Sequence, residues 1–179
     1  MKVASIKLCY VLLSTWFYNP SIKMYNTILT LHSLFRWLVV ASLLIAIIRS
    51  YSGWLSGHVF TPKDNRLRHI TATIAHMQLA LGLWLYFISP VIDYFLHHYK
   101  EAVHMRQIRF FGMEHSLMML AAIILITIGS LASKRKTTDK AKFKTKAIWF
   151  TIALVVILIN IPWPFSPMVA RPWLRLGGI

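Results

Sequence analysis

Cysteine is almost absent from this chain: among 179 residues there is one, Cys9. A single cysteine excludes an intrachain disulfide, a zinc or iron–sulfur centre with several cysteine ligands, and the Cys-Xaa-Xaa-Cys-His motif of covalent haem attachment. Carboxylates are also scarce, with five Asp and Glu in total. The sequence has no glycine-rich phosphate loop, no Gly-Xaa-Ser-Xaa-Gly and no His-Glu-Xaa-Xaa-His. It therefore offers no hydrolase or transferase motif.

Long apolar runs occupy most of the chain instead, and 57% of its residues are hydrophobic. Four runs approach the roughly 20 residues that a helix needs to cross a bilayer. They are continuous rather than alternating, which favours helices over strands. The sequence predicts an all-α integral membrane four-helix bundle over residues 24–165, followed by a Pro- and Arg-containing tail at 166–179. The predicted spans are Ile28–Ile48, His69–Ile88, Phe110–Leu131 and Ala147 to about Phe165.

The formal charge of +15 comes from basic residues that lie between these runs. This placement indicates topology signals and lipid-headgroup contacts rather than binding to nucleic acid. Eleven Lys and Arg residues fall in the first and third loops, against five in the second loop and the tail. The positive-inside rule therefore predicts a multi-pass protein of the bacterial inner membrane, with loops one and three cytoplasmic and both termini outside.

The first 23 residues form a separate N-terminal extension in this interpretation. Their apolar patch, Leu8–Phe17, is too short to span a bilayer. Two explanations stay open: a short apolar leader, or a start-site artefact in which translation begins at Met24.

Two histidines open the first and third spans. His32 lies four residues into the first span and His115 five residues into the third. At a rise of 1.5 Å per residue both lie roughly 6–8 Å below the same end of the bundle. Two imidazoles at one level on two helices are the arrangement that a bis-histidine haem iron needs. We therefore expect His32 and His115 to be the metal ligands of one non-covalent haem b.

Arg36 lies on the same helix face as His32, one turn away, where its guanidinium could bind a haem propionate. The alternative is a haem-free bundle, fastened by an Arg36–Glu114 ion pair and by interhelical hydrogen bonds from both histidines.

Other polar side chains carry weaker expectations. His76 falls near mid-membrane, where it is a packing hydrogen bonder, a proton-relay group or a quinone-site residue. A helical outer loop would place His97, Glu101 and His104 on one face, which suits zinc or copper but also suits a solvated loop. Four methionines near the third span are expected to pack, with replacement of one axial histidine as the alternative: Met105, Met113, Met118 and Met119.

The segments LHSLFRW (31–37) and EHSLMML (114–120) resemble those of small bacterial four-span membrane proteins labelled cytochrome B or cytochrome b-like. The resemblance runs from Met24 to Arg175 and includes MYNT (24–27), FFGMEH (110–115), IPWPFSP (161–167) and RPW (171–173). It implies a b-haem, electron transfer, and ligand histidines in the first and third spans. The fourth span has no histidine, unlike two-haem b-type cytochromes, so one haem is expected.

Together these features predict a one-haem electron-transfer protein that exchanges electrons with quinol or a membrane redox partner. The alternative from a different class is a haem-free structural or accessory subunit of a membrane complex. A homo-oligomer is compatible with either function.

Overall fold

The computed structural model describes residues 20–166 and 169–173. The Leu8–Phe17 patch and most of the N-terminal extension lie outside the described residues. Helices make up the regular structure of the described part, and no strand occurs there.

Four of the helices are long, and two short ones connect the middle pair. In chain order they are α1 Pro20–Leu55, α2 Pro62–Ile88, α3 Pro90–His97, α4 Tyr99–Ala102, α5 Arg106–Arg135 and α6 Asp139–Asn160. The third long helix, α5, contains one π-helical turn at Phe110–Glu114. Three of the four predicted spans lie inside a long helix and the fourth overlaps the last one, and each helix begins one or more turns before its predicted span.

The turn between α1 and α2 follows from its residues. Gly57 adopts a positive φ of 68°, a conformation that costs glycine little. Thr61 then caps α2: its hydroxyl accepts from the Asp64 amide, and the Asp64 carboxylate accepts from the Thr61 amide, with Pro62 in the first turn.

The long helices pack in an up-and-down ring, in which α1 contacts α2 and α6, and α5 contacts α2 and α6. Helices α1 and α5 therefore lie diagonally across the bundle. Its axis is lined by fully buried alanines that allow close approach of the backbones: Ala46, Ala75, Ala122 and Ala153. Larger side chains such as Leu43, Ile126 and Phe150 fill the layers between them.

The outward surfaces of the four long helices are also apolar. Ile45, Ile48, Phe87 and Ile159 are each more than half exposed. A helix that is hydrophobic on all sides is buried in protein on one side and in lipid on the other. Each of the four is long and apolar enough to cross a bilayer. The chain is thus a four-helix multi-pass membrane bundle.

The fourth long helix differs from its predicted span at both ends. It begins at Asp139, eight residues before Ala147, and ends at Asn160 rather than near Phe165. The early start makes Lys142 and Lys146 helical and draws them inward, although the sequence placed both in a solvated loop. The early end has a local cause, since Pro162 and Pro164 cannot donate to the carbonyls one turn before them.

Candidate functional site

His32 and His115 meet across the bundle axis. Their ring centroids are 6.4 Å apart and the ring planes are inclined by 74°. Because α1 and α5 are diagonal, both imidazoles must point inward for this contact to form. The structure therefore brings together the two histidines that the sequence singled out, at the level predicted from their depth. We call this the histidine end of the bundle.

The π-helical turn comes directly before His115. The His115 amide bonds to the Phe110 carbonyl five residues back, and the Ser116 hydroxyl donates to the Phe111 carbonyl at 2.7 Å. One extra residue in this turn rotates the helix after it relative to the helix before it. Such π-turns are common at functional sites. Here the turn sets the direction in which His115 leaves α5.

His115 is held by a backbone carbonyl of the fourth long helix. Its Nδ1 lies 3.0 Å from the Asn160 oxygen, and because a carbonyl only accepts, Nδ1 carries the proton. This carbonyl is available because the residue four positions on is Pro164, which has no N–H. Pro162 likewise leaves the Leu158 carbonyl without its amide, and the Trp163 indole donates to it at 2.7 Å. The prolines thus supply acceptors as well as ending the helix.

His32 faces a glycine of the second long helix. A Cβ on Gly82 would lie 3.3 Å from His32 Cε1 and 3.8 Å from Nδ1, so this edge of the ring packs against bare backbone. One turn earlier, Gln78 Nε2 donates to the His32 carbonyl at 2.9 Å. Gln78 and Gly82 are site residues that sequence reasoning missed, although their i, i+4 spacing on α2 was a usable signal.

Arg36 binds the C-terminal tail. Its Nη2 donates to the Pro172 carbonyl at 3.2 Å and to the Trp173 carbonyl, which also accepts from the Trp37 indole at 3.2 Å. The indoles of Trp37, Trp163 and Trp173 pack on one another with centroids 5.4–6.1 Å apart. The described part of the tail therefore folds back over the first helix and covers the histidine end.

The ion pair expected between Arg36 and Glu114 is not formed. Glu114 Oε1 accepts instead from Arg109 Nε at 2.7 Å. Arg109 and Glu114 are five residues apart. Side chains at this spacing point in different directions on an α-helix, but a π-turn brings them onto the same face. The expectation failed because it assumed α-helical spacing throughout α5.

His76 makes one interhelical hydrogen bond, at 3.0 Å between its Nε2 and Thr127 Oγ1 of α5. This matches the packing interpretation of His76. Thr127 follows His115 by twelve residues on α5, about 18 Å along the helix, and His76 takes no part in the histidine pair.

The connection between α2 and α5, which holds His97, Glu101 and His104, gives no three-residue metal group. Its helix is interrupted at His98, and His97 Nδ1 is taken up by Asp93, 2.8 Å from its carbonyl and 3.2 Å from Oδ1. Among the described residues no three His, Cys, Asp or Glu side chains come together as a candidate metal site. The predicted face of His97, Glu101 and His104 is not assembled.

Unpaired polar atoms gather around His32. Three of the four buried side-chain nitrogen and oxygen atoms that lack a partner in the described structure are His32 Nδ1, Arg36 Nε and Gln78 Oε1. Buried polar atoms are normally hydrogen-bonded, so these three atoms are donors and acceptors that the site still has available. The donor set is two neutral imidazoles, a guanidinium and an amide, which suits a metal with anionic substituents.

Fold and site together define a multi-pass membrane helix bundle with two half-buried imidazoles in contact at one end. No protein-family model, no curated protein and no solved structure matches the chain.

Proposed function

We propose that this chain is a b-type cytochrome-like electron-transfer protein, with one non-covalent haem held between α1 and α5. The observation that carries the proposal is the spacing of His32 and His115. Imidazole–metal bonds are about 2 Å long, so two rings whose centroids are 6.4 Å apart are close enough that both would hold one metal ion between them.

Each histidine has a defined role. The Asn160 carbonyl fixes the proton of His115 on Nδ1, which leaves the Nε2 lone pair for a metal and makes it a stronger donor. His32 turns Cε1 and Nδ1 toward Gly82, and its Nε2 is the nitrogen that we propose would bind the metal.

Arg36 is the residue proposed to bind a propionate. It stands one turn from His32 and its buried Nε has no partner. Its Nη2 donates to the Pro172 and Trp173 carbonyls of the tail. If a propionate binds both Nε and Nη2, it replaces these carbonyls as the acceptor of Nη2. The tail and its tryptophans exclude water from this end. When bound, the haem supplies one-electron chemistry that the protein tunes through burial and hydrogen bonds.

The proposed setting is the bacterial inner membrane, with the loops at 56–61 and 136–138 in the cytoplasm. The support is that eleven Lys and Arg residues fall in the first and third predicted loops, against five in the second loop and the tail. The histidine end then faces outward. Quinol or a membrane redox partner is the proposed electron donor, and the acceptor lies outside.

The experiment is a reduced-minus-oxidised absorbance spectrum of the purified full chain, expressed with added haem. We expect a sharp b-type α band in the unaltered protein, lost in His32→Ala and in His115→Ala. His104→Ala removes an exposed histidine without a role and should keep the band. A featureless spectrum from folded protein, or full haem content in His115→Ala, would refute the proposal.

The second candidate is a haem-free accessory subunit, and one observation favours it. The site already fastens the bundle without a cofactor, through the bonds of His115 to Asn160 and of Gln78 to the His32 carbonyl. In that case no haem is taken up, the histidine variants change only bundle stability, and a membrane partner co-purifies with the chain.

A further inference from the structure

The opposite end of the bundle holds a second cluster of buried charges. We call it the basic end, and define it by Arg49 of α1, Asp64 and Arg68 of α2, Ser130 of α5 and Lys146 of α6. All four long helices contribute to it. Asp64, Arg68 and Lys146 are buried, with Lys146 fully so, while Arg49 keeps about a third of its side-chain surface.

The single carboxylate of this cluster is held by four hydrogen bonds. Asp64 Oδ1 accepts from Arg49 Nε at 2.7 Å, and Oδ2 accepts from Arg49 Nη2 at 3.2 Å. Oδ2 also accepts from the amide and hydroxyl of Thr61, at 2.9 and 2.7 Å. Arg49 and Thr61 therefore supply all four of these donors.

The other two cations have neutral partners or none. Arg68 donates from Nε and Nη2 to Asn65 Oδ1, at 3.1 and 3.0 Å, and from Nη1 to the carbonyl and hydroxyl of Ser130. The Lys146 ammonium has no hydrogen-bond acceptor among the residues that the structure describes. It lies 5.1 Å from the ring centre of Phe60 and 5.4 Å from that of Phe143, and within electrostatic range of Asp64, Arg49 and Arg68.

Three cations against one anion leave Arg68 and Lys146 without an opposite charge among the described residues. Arg68 is hydrogen-bonded to neutral groups, whereas Lys146 has only its cation–π contacts with two phenylalanines, and a buried charge usually needs an opposite charge or a set of hydrogen bonds. An acceptor-rich anion with one or two charges would supply that partner. A phosphate group has that charge and three or more acceptor oxygens.

The position of the cluster also suits a phosphate. Lys146 lies seven residues after the start of α6, about 10 Å along the helix, and Asp64 lies in the first turn of α2. This depth is close to the headgroup layer of a bilayer. Partly exposed Arg49 and exposed His58, whose Nδ1 lies 3.1 Å from Arg49 Nη1, form the open side of the cluster.

We infer that the basic end is a binding site for a phosphate group, held by Lys146, Arg68 and Arg49 and entered beside Arg49 and His58. The shared chemistry has two sources, an anionic phospholipid headgroup or a free phosphate. The site is independent of haem and of the histidine end.

The test measures the thermal unfolding midpoint of the full chain in phosphatidylcholine nanodiscs. One arm adds inorganic phosphate at ionic strength matched with chloride, and the other uses nanodiscs with added phosphatidic acid. We expect a rise in the midpoint in at least one arm, and the responding arm identifies the source. Native mass spectrometry of the same samples should show retained phosphate or phosphatidic acid.

The matched variants are Lys146→Met and Lys140→Met, which remove the same charge from one helix at a buried and an exposed position. Loss of a charge-assisted hydrogen bond should weaken binding about tenfold or more in Lys146→Met, whereas Lys140→Met should bind as the unaltered chain does. If Lys146→Met does not fold, Arg68→Gln against Arg66→Gln gives the same contrast. No response beyond that to chloride in either arm, or equal binding by the buried and exposed variants, would overturn the inference.

Discussion

The two ends of the bundle satisfy their polar groups in different ways. At the histidine end the acceptors are backbone carbonyls: Asn160 for His115, His32 for Gln78, and Trp173 for both Arg36 and Trp37. At the basic end most acceptors are side chains, with Asp64 accepting from Arg49 and Asn65 accepting from Arg68. The histidine end therefore depends on the positions of main-chain carbonyls, and the basic end depends on the pairing of charged and polar side chains.

This difference decides how each end responds to mutation. A backbone acceptor survives most substitutions of its own residue, so only changes in the donor or in nearby chain geometry should disturb the histidine end. A side-chain acceptor is lost by a single substitution. We therefore expect the largest losses of stability at the basic end and graded losses at the histidine end.

The largest effect is expected from Asp64→Asn, which removes the only carboxylate facing three cations. Breaking a buried ion pair on one side costs about 3–5 kcal/mol, and the asparagine keeps part of the hydrogen bonding, so we expect about 3 kcal/mol. The measurement is the free energy of unfolding in mixed detergent micelles. Asp139→Asn alters a more exposed pair with Lys142, at 3.5 Å, and should cost under about 1 kcal/mol. Equal losses would remove the contrast between buried and surface charge.

Arg36→Leu should come next, with a loss of about 1–2 kcal/mol, because it removes a charged donor from two tail carbonyls. The tail should also become more sensitive to proteases. If the chain binds haem, this variant should retain less of it or shift its potential. Lys100→Leu, at an exposed position with the same change of charge, is the control. A tail as protected as in the unaltered chain would show that Arg36 does not anchor it.

Gly82→Ala tests the packing around His32. Alanine normally favours a helix over glycine by about 1 kcal/mol, so the sign of the effect is informative. Here the new methyl group lies 3.3 Å from His32 Cε1, and the strain should cancel that gain or exceed it by under about 1 kcal/mol. Unfolding and the NMR shifts of the His32 ring report the outcome. A clear gain in stability with unchanged ring shifts would mean that the ring has room to move.

Thr127→Val should have the smallest effect, since it removes one interhelical bond to His76. Such bonds average about 0.6 kcal/mol in membrane bundles. Thr73→Val, at an exposed position of α2, serves as the reference in the same unfolding assay. A loss above 2 kcal/mol relative to that reference would give His76 a role beyond packing.

Much of the fold could be predicted from the sequence because hydrophobic runs of bilayer length leave few alternatives. The four spans, the cap at Thr61 and the common level of His32 and His115 all follow from spacing. The partner of Glu114 could not be predicted because it depends on a π-turn, which has no reliable sequence signal. The acceptor of His115 escaped prediction for another reason: a main-chain carbonyl freed by Pro164 leaves no trace in the identity of residue 160.

Lys146 shows the opposite limitation. In sequence it stands at the end of a basic loop, and a solvated position was the natural expectation. Its burial follows from the early start of α6, which brings it onto the inner face together with Phe143 and Phe150. The basic composition of residues 139–146 therefore indicated a loop where the structure has a helix, and the burial of Lys146 depends on that helix.

The π-turn at Phe110–Glu114 gives the third long helix two phases. Because one residue corresponds to about 100° of rotation, the segment up to Arg109 and the segment from His115 follow different helical frames. Deleting a single residue within the turn would merge the frames and swing the outer connection, α3 and α4 included, around the axis of α5. Except at Gly112, where a Cβ would meet the Phe95 ring, substitutions that preserve length should be tolerated there better than a change in length.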